Sequence, residues 1–383
     1  MVAAPWTFVA AQPEIEAPAI RADLTVATED RAQQLAATAR QAIKLLTDWL
    51  GPYPAASLTL VDASWRSPAV LLPPGTAALP VRWVEIDRDP AAERRLIGAL
   101  AAHYWHEALT APADQRWFAE ALVRYLGARA IDTVLEGRQY WSSRYFGGFI
   151  PFATRALPLS PFGADARGHI VSFDSDIALP GGSDRQRMAR ATAALFTLER
   201  VIGWPALQQG LIVFRERAQR RGYAPGELEA VLSAQRGSDL DWFFDEAFRP
   251  ERRFDYAIAS VTSQADDAAF HVRVNLQRLG DAVFGDADAS NGPALPVRVE
   301  FADGSEVLDR WPGARESLTF EYIARTPAVR VDVDQDAILL LEQDRTNNVE
   351  RLTNAPVSSV SLRATLAWLT WVEDLMLTCL ALV

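Results

Sequence analysis

His103, Glu107 and Glu120 are the side chains in this chain whose types and spacing could hold a metal. His103 and Glu107 are one helical turn apart, so they share a helix face, and Glu120 would add a second carboxylate to one nitrogen. His106, three residues from His103, could contribute in place of Glu107. Such a set leaves no general base, because Glu107 cannot ligate a cation and accept a proton at once. The same residues also fit a purely structural reading. His103 beside Trp105 on an apolar helix reads as a buried histidine satisfied by hydrogen bonds. Glu120 then reads as a carboxylate paired with His103 or an arginine, since a buried carboxylate without a partner takes up a proton. A nucleophile triad has less support: no Gly-x-Ser-x-Gly elbow is present, and Cys379 lies in an apolar tail.

These groups must be positioned by the segment Leu96 to Tyr125. Apolar residues recur there at helical spacing on both sides of a turn containing Pro112, which reads as two helices. The pair resembles the zinc-binding helices of the gluzincin aminopeptidases, the membrane-alanyl-aminopeptidase and leukotriene-hydrolase type. Those proteins carry a His-Glu-x-x-His helix, then a third ligand Glu on the next helix. On that register His103 matches the second ligand His, Trp105 the Trp that follows it, and Glu120 the third ligand, flanked by Trp117 and Tyr125. The first His is replaced by Ala99 and the general base by Leu100, and the spacing is two residues shorter than the family's, around Ala113. Neither a methyl nor an isobutyl group binds zinc or accepts a proton.

Two further positions depart in the same direction. Aligning Pro68 and its apolar run with the family's substrate-amine loop puts Arg66 where a Glu binds the peptide amine, and a cation repels that amine. Aligning the helix around Leu195 puts Met188 at the oxyanion-stabilising Tyr and Ala191 at a Gly. Gly51-Pro52-Tyr53-Pro54 matches a family element closely, and the resemblance runs unevenly from about Ala37 to Pro250.

The resemblance and the residue patterns together imply an α+β chain: a mainly helical thermolysin-like (gluzincin) domain, a small β-sandwich and a C-terminal apolar helix. The expected divisions are an extended segment over 1–28, a degenerate metallopeptidase-like domain over 29–250, a β-sandwich over 251–346 and the apolar helix over 358–383. A helix is expected over Glu29 to Leu50, capped by Thr28, and strands over Leu58 to Val61 and Val81 to Ile86. An aromatic stretch follows around Tyr140 to Phe152, with Tyr140 and Trp141 as expected groove residues beside Arg66, Trp105, Trp117 and Tyr125. Further helices include Trp204 to Arg221 and an aromatic helix capped by Ser238. Alternation over Tyr256 to Thr262, Phe270 to Leu276, Leu295 to Phe301 and Val329 to Val333, with a turn at Asp303-Gly304, gives about seven short strands. Asp332, Asp334 and Asp336 lack the Gly and distal Glu of a calcium loop and read as a solvated strand end.

With 383 residues, 49% of them hydrophobic, the chain can bury a sizeable core across two or three domains. A net charge of −11 without concentrated Lys and Arg argues against nucleic acid; Lys44 is the only lysine. A single cysteine excludes an intramolecular disulfide framework and a cysteine-rich zinc site. The first residues lack a basic start and a long apolar run, so no secretory signal is expected, and the cytoplasm or the cytoplasmic face of a membrane is. Ala364 to Val383 has the length of a membrane span, but Glu373 and Asp374 at its middle would cost roughly 5–7 kcal/mol on insertion. Trp368, Trp371 and Leu375 instead suit a membrane interface, a partner surface or the chain's own domain.

The expectation from sequence is an aminopeptidase-like pseudoenzyme without a cofactor, binding a protein or peptide or serving as a scaffold. Two alternatives stand beside it: a metal-dependent hydrolase using His103, Glu107 and Glu120, with zinc as its metal, and a membrane-peripheral subunit held by the C-terminal helix.

Overall fold

The computed structural model describes residues 7–10, 18–24, 27–63, 72–80, 91–109, 112–135, 184–249, 251–266, 269–285 and 293–352. They fall into two compact units. The first holds the described residues up to 135 together with Gln208–Leu228, and the second holds 184–207 and 229–352.

In the first unit, strands β1 (Thr7–Ala10), β2 (Ala19–Leu24), β3 (Ser57–Ala63) and β4 (Thr76–Pro80) form one sheet in that order. β1 runs antiparallel to β2, whereas β2, β3 and β4 are mutually parallel. Parallel neighbours need a crossover, and helix α1 (Glu29–Leu50) supplies it between β2 and β3. Both ends of α1 lie where the sequence puts them. The Thr28 side chain accepts from the Arg31 amide, Glu29 and Asp30 face the positive end of the helix dipole, and Leu35, Ala39, Ile43, Leu46 and Leu50 are buried. The strand expected over Val81 to Ile86 lies outside the described residues. β4 precedes it and was not foreseen, because Thr76-Ala-Ala-Leu-Pro80 holds two alanines and a proline, which seldom favour strands.

Helices α2 (Ala91–Tyr104), α3 (His106–Leu109) and α4 (Ala113–Val134) carry the segment of interest. Small residues let α2 and α4 approach: a Cβ on Gly127 would lie 3.5 Å from the Gly98 Cα and 3.8 Å from the Ala101 Cβ. Arg31 of α1 and Glu93 of α2, 2% and 3% exposed, form a two-pronged ion pair at 2.6 and 3.1 Å. The later part of helix α6 (Trp204–Arg221) completes this unit. Its Phe214 meets Trp105, Phe118 and Tyr223 with ring centres 6.1 Å away.

The second unit contains helix α5 (Asp184–Ile202), the end of α7 (Pro225–Arg236), α8 (Asp241–Ala247) and seven strands. Strands β5 (Tyr256–Asp266), β6 (Ala269–Arg278) and β9 (Ser317–Ala324) make one antiparallel sheet in the order β5-β6-β9. Strands β7 (Ala294–Phe301), β8 (Glu306–Pro312), β10 (Ala328–Val333) and β11 (Val349–Arg351) make another, in the order β11-β10-β7-β8. Alternation in the sequence is alternation of burial here: Val272, Val274 and Leu276 in β6 and Leu295, Val297, Val299 and Phe301 in β7 point inward. Asp303 and Gly304 form the turn after β7, with Gly304 at φ 82°. The Tyr256 hydroxyl locks the first strand of the set, donating to the Gly313 carbonyl at 2.6 Å and accepting the Phe284 amide at 2.8 Å.

Two local expectations are corrected in this unit. Ser238 does not cap α8: Leu240 holds that position without a side-chain bond, Asp239 receives the Asp241 amide, and Ser238 receives the Arg236 guanidinium. Asp332 and Asp334 are not a solvated strand end, being 1% and 4% exposed. Asp332 pairs with Arg298 and Arg330, and Asp334 receives the Ile338 and Leu339 amides. No described helix is long and apolar enough to cross a membrane. The apolar C-terminal segment, with Trp368, Trp371, Leu375 and Cys379, lies outside the described residues.

Candidate functional site

His103 sits in the last turn of α2 and is 3% exposed. Its Nε2 lies 3.2 Å from the Thr76 carbonyl oxygen at the start of β4, and its Nδ1 lies 2.7 Å from the Tyr53 hydroxyl. That hydroxyl receives the Gly75 amide at 3.2 Å. A carbonyl only accepts, so Nε2 carries the proton and Nδ1 presents its lone pair to the Tyr53 O–H. Burial penalises the imidazolium and lowers His103 to about 4, outweighing the Thr76 carbonyl, which favours the charged form; His106 nearby lowers it further. Burial likewise pushes the Tyr53 hydroxyl up to about 12, against the Gly75 amide, which lowers it. The imidazole is therefore neutral, and both of its nitrogens are engaged.

The remaining sequence-derived positions divide by placement. Leu100 is fully buried and Ala99 half-buried on the same helix as His103. Trp105 and Tyr125, expected to line a groove, are 1% and 0% exposed, and Trp105 packs against Phe214 of α6. Trp117 is half-buried and meets Phe118 edge to face. Glu107 is exposed and receives the Gln219 amide at 2.6 Å. Glu120 is half-buried, and His103 is not its partner, since the imidazole bonds to Tyr53 and Thr76. Met188 is 6% exposed and lies in the second unit. Arg66, Tyr140 and Trp141 lie outside the described residues.

The proposed metal set is not assembled. Among the described residues, the one trio of acid or imidazole groups with ligand atoms within 4.8 Å of one another is Glu229, Asp239 and Asp241, in the second unit. His103, Glu107 and Glu120 form no such group. Nor do the residues present fit the zinc that the family resemblance implies: the first ligand position is a methyl, and the lone pair of the second is bound to a hydroxyl.

The Glu229 trio gave no signal in the sequence, because it joins the first half of α7 to the turn before α8 and the first residue of α8, and matches no ligand spacing. Partial burial and then a hydrogen bond to Asp241 raise Glu229 to about 7, while the same bond lowers Asp241.

No protein-family model and no curated protein sequence matches the chain. Among solved structures it is similar to aminopeptidase A from Legionella pneumophila, captured with aspartic acid, at TM-score 0.52 and 11% identity. The fold is similar to that of an aminopeptidase. The match covers 82% of this chain but 35% of that protein, so the chain spans about a third of its length. At this identity the likeness concerns the fold alone.

Proposed function

We propose that this chain is a degenerate relative of the zinc aminopeptidases, kept as a peptide- or protein-binding or scaffolding module rather than as a catalyst. The observation that carries the reading is the state of His103, whose two nitrogens are spent on Tyr53 and Thr76. Ala99 and Leu100, on the same helix, stand where a second imidazole and a base would be needed. Each loss alone would cripple hydrolysis, since metal and base act in the same step. The alternative hydrolase built on His103, Glu107 and Glu120 is disfavoured by the scatter of those three groups.

Recognition would fall to residues that need no metal. Arg66 in place of an acid would select against a free peptide amine and for an acidic or carboxylate-bearing partner. Tyr140 and Trp141 would supply aromatic contact. Trp368, Trp371 and Leu375 remain the residues proposed to meet a membrane or a membrane protein.

The test is hydrolysis of aminoacyl arylamides by the full chain with added zinc, in parallel with calorimetric titration of acidic peptides and of aspartic acid, the molecule held by the similar aminopeptidase A. The proposal predicts no turnover above a Glu120→Ala control, and saturable peptide binding that weakens in Arg66→Glu. Zinc-dependent turnover abolished by His103→Ala would reject it.

A further inference from the structure

A histidine inherited from a metal site and then buried without its metal needs new partners for both ring nitrogens, because an unmet buried polar atom costs about 1–3 kcal/mol. The partners here come from separate segments. Tyr53 belongs to the Gly51-Pro52-Tyr53-Pro54 loop after α1, and Thr76 opens β4. Gly75 makes the arrangement possible. Its φ is 100°, and a Cβ there would lie 3.2 Å from the Ser57 carbonyl, so only glycine turns its amide toward Tyr53 without strain.

For the neutral imidazole, proton bookkeeping then has one solution. The Gly75 N–H donates to the Tyr53 oxygen, the Tyr53 O–H donates to His103 Nδ1, and the His103 Nε2–H donates to the Thr76 carbonyl. In the opposite tautomer an Nε2 lone pair would face the lone pairs of a carbonyl oxygen at 3.2 Å, which is repulsive.

We infer that Tyr53 takes the place of a metal beside His103: its hydroxyl proton fills the one lone pair of the imidazole, fixes the Nε2–H tautomer, and turns a former ligand into a cross-link between α2, the loop after α1 and β4. Tyr53 is thus a positioning residue, and it withholds His103 from metals. The inference rests on the proposed loss of zinc chemistry, but its own content is the proton arrangement.

The experiment is nitrogen NMR of the histidine rings in the full-length 15N-labelled chain, with and without excess zinc chloride, in the wild type and Tyr53→Phe. In the wild type, Nε2 of His103 reads as protonated and Nδ1 as a hydrogen-bonded unprotonated nitrogen, and zinc moves neither signal. In Tyr53→Phe, Nδ1 moves toward the position of an unbonded ring nitrogen. A wild-type His103 protonated on Nδ1, or one whose signals shift with zinc, overturns the inference, and that spectrum decides alone if Tyr53→Phe does not fold. Zinc-dependent peptidase activity with the Nε2–H tautomer intact would remove the proposed function and leave the Tyr53 assignment standing.

Discussion

Replacing His103 by glutamine removes a titration while keeping the hydrogen bonds, since the amide can donate to Thr76 and accept from Tyr53. In the wild type, burial lowers His103 from 6.5 to about 4. The unfolded chain therefore binds a proton near pH 6.5 that the folded chain refuses until about pH 4. His103 contributes fully to stability above 6.5, and the contribution is lost as pH falls from 6.5 toward 4. At 1.36 kcal/mol per unit, a gap of about 2.5 units amounts to about 3 kcal/mol at the bottom of that window. The assay is urea unfolding of wild type and His103→Gln at steps from pH 7.5 to 4.5, followed by fluorescence. Taking the difference between the two proteins cancels the other titrating groups. The stability of the wild type relative to His103→Gln should fall by about 1.4 kcal/mol per pH unit below 6.5 and be level above it. Two curves that stay parallel across the window would refute the burial and neutrality assigned to His103.

Three other outcomes follow from separate parts of the molecule. Glu93→Gln leaves the Arg31 guanidinium buried without its counter-ion, and should cost the first unit about 3–5 kcal/mol in denaturant unfolding. Glu342, buried in the segment after β10 where its carboxyl receives the Tyr256 amide at the start of β5, is raised to about 8 mainly by burial. The unfolded carboxyl loses its proton near 4.5, so Glu342 weakens the fold as pH rises from 4.5 through 8, and Glu342→Gln should melt higher than wild type at pH 9 by calorimetry. Removal of residues after Asn354 should abolish any detergent dependence of solubility or vesicle binding, and equal behaviour of truncated and full chains in flotation would exclude a membrane role for Trp368 and Trp371.

What the sequence disclosed and what it hid follow from the range of the interactions. α1 was legible at both ends because a Thr cap, acids in the first turn and apolar residues every three or four positions are all local signals. Strands β5, β6, β7 and β10 of the second unit were legible because alternation is local too, whereas β8, β9 and β11 were not located. The partner of His103 was not. Charge complementarity suggested Glu120, itself expected to pair with His103 or an arginine, whereas the imidazole is held by a hydroxyl 50 residues away and a backbone carbonyl 27 residues away, neither of which leaves a pattern. Trp105 and Tyr125 were read as groove residues because aromatic rings serve burial and binding alike, and only the packing of Phe214 and Tyr223 against Trp105 separates the two. Tyr53 stood in plain view inside a matched loop motif, but its role depends on Gly75 bringing β4 alongside it.

The central claim, that His103 no longer serves a metal, is tested most directly by metal content. Purified full-length protein is analysed by mass spectrometry for zinc and other transition metals, before and after incubation with excess zinc and dialysis. The account predicts no stoichiometric metal in either sample. One tightly held ion per chain, lost in His103→Ala, would contradict it.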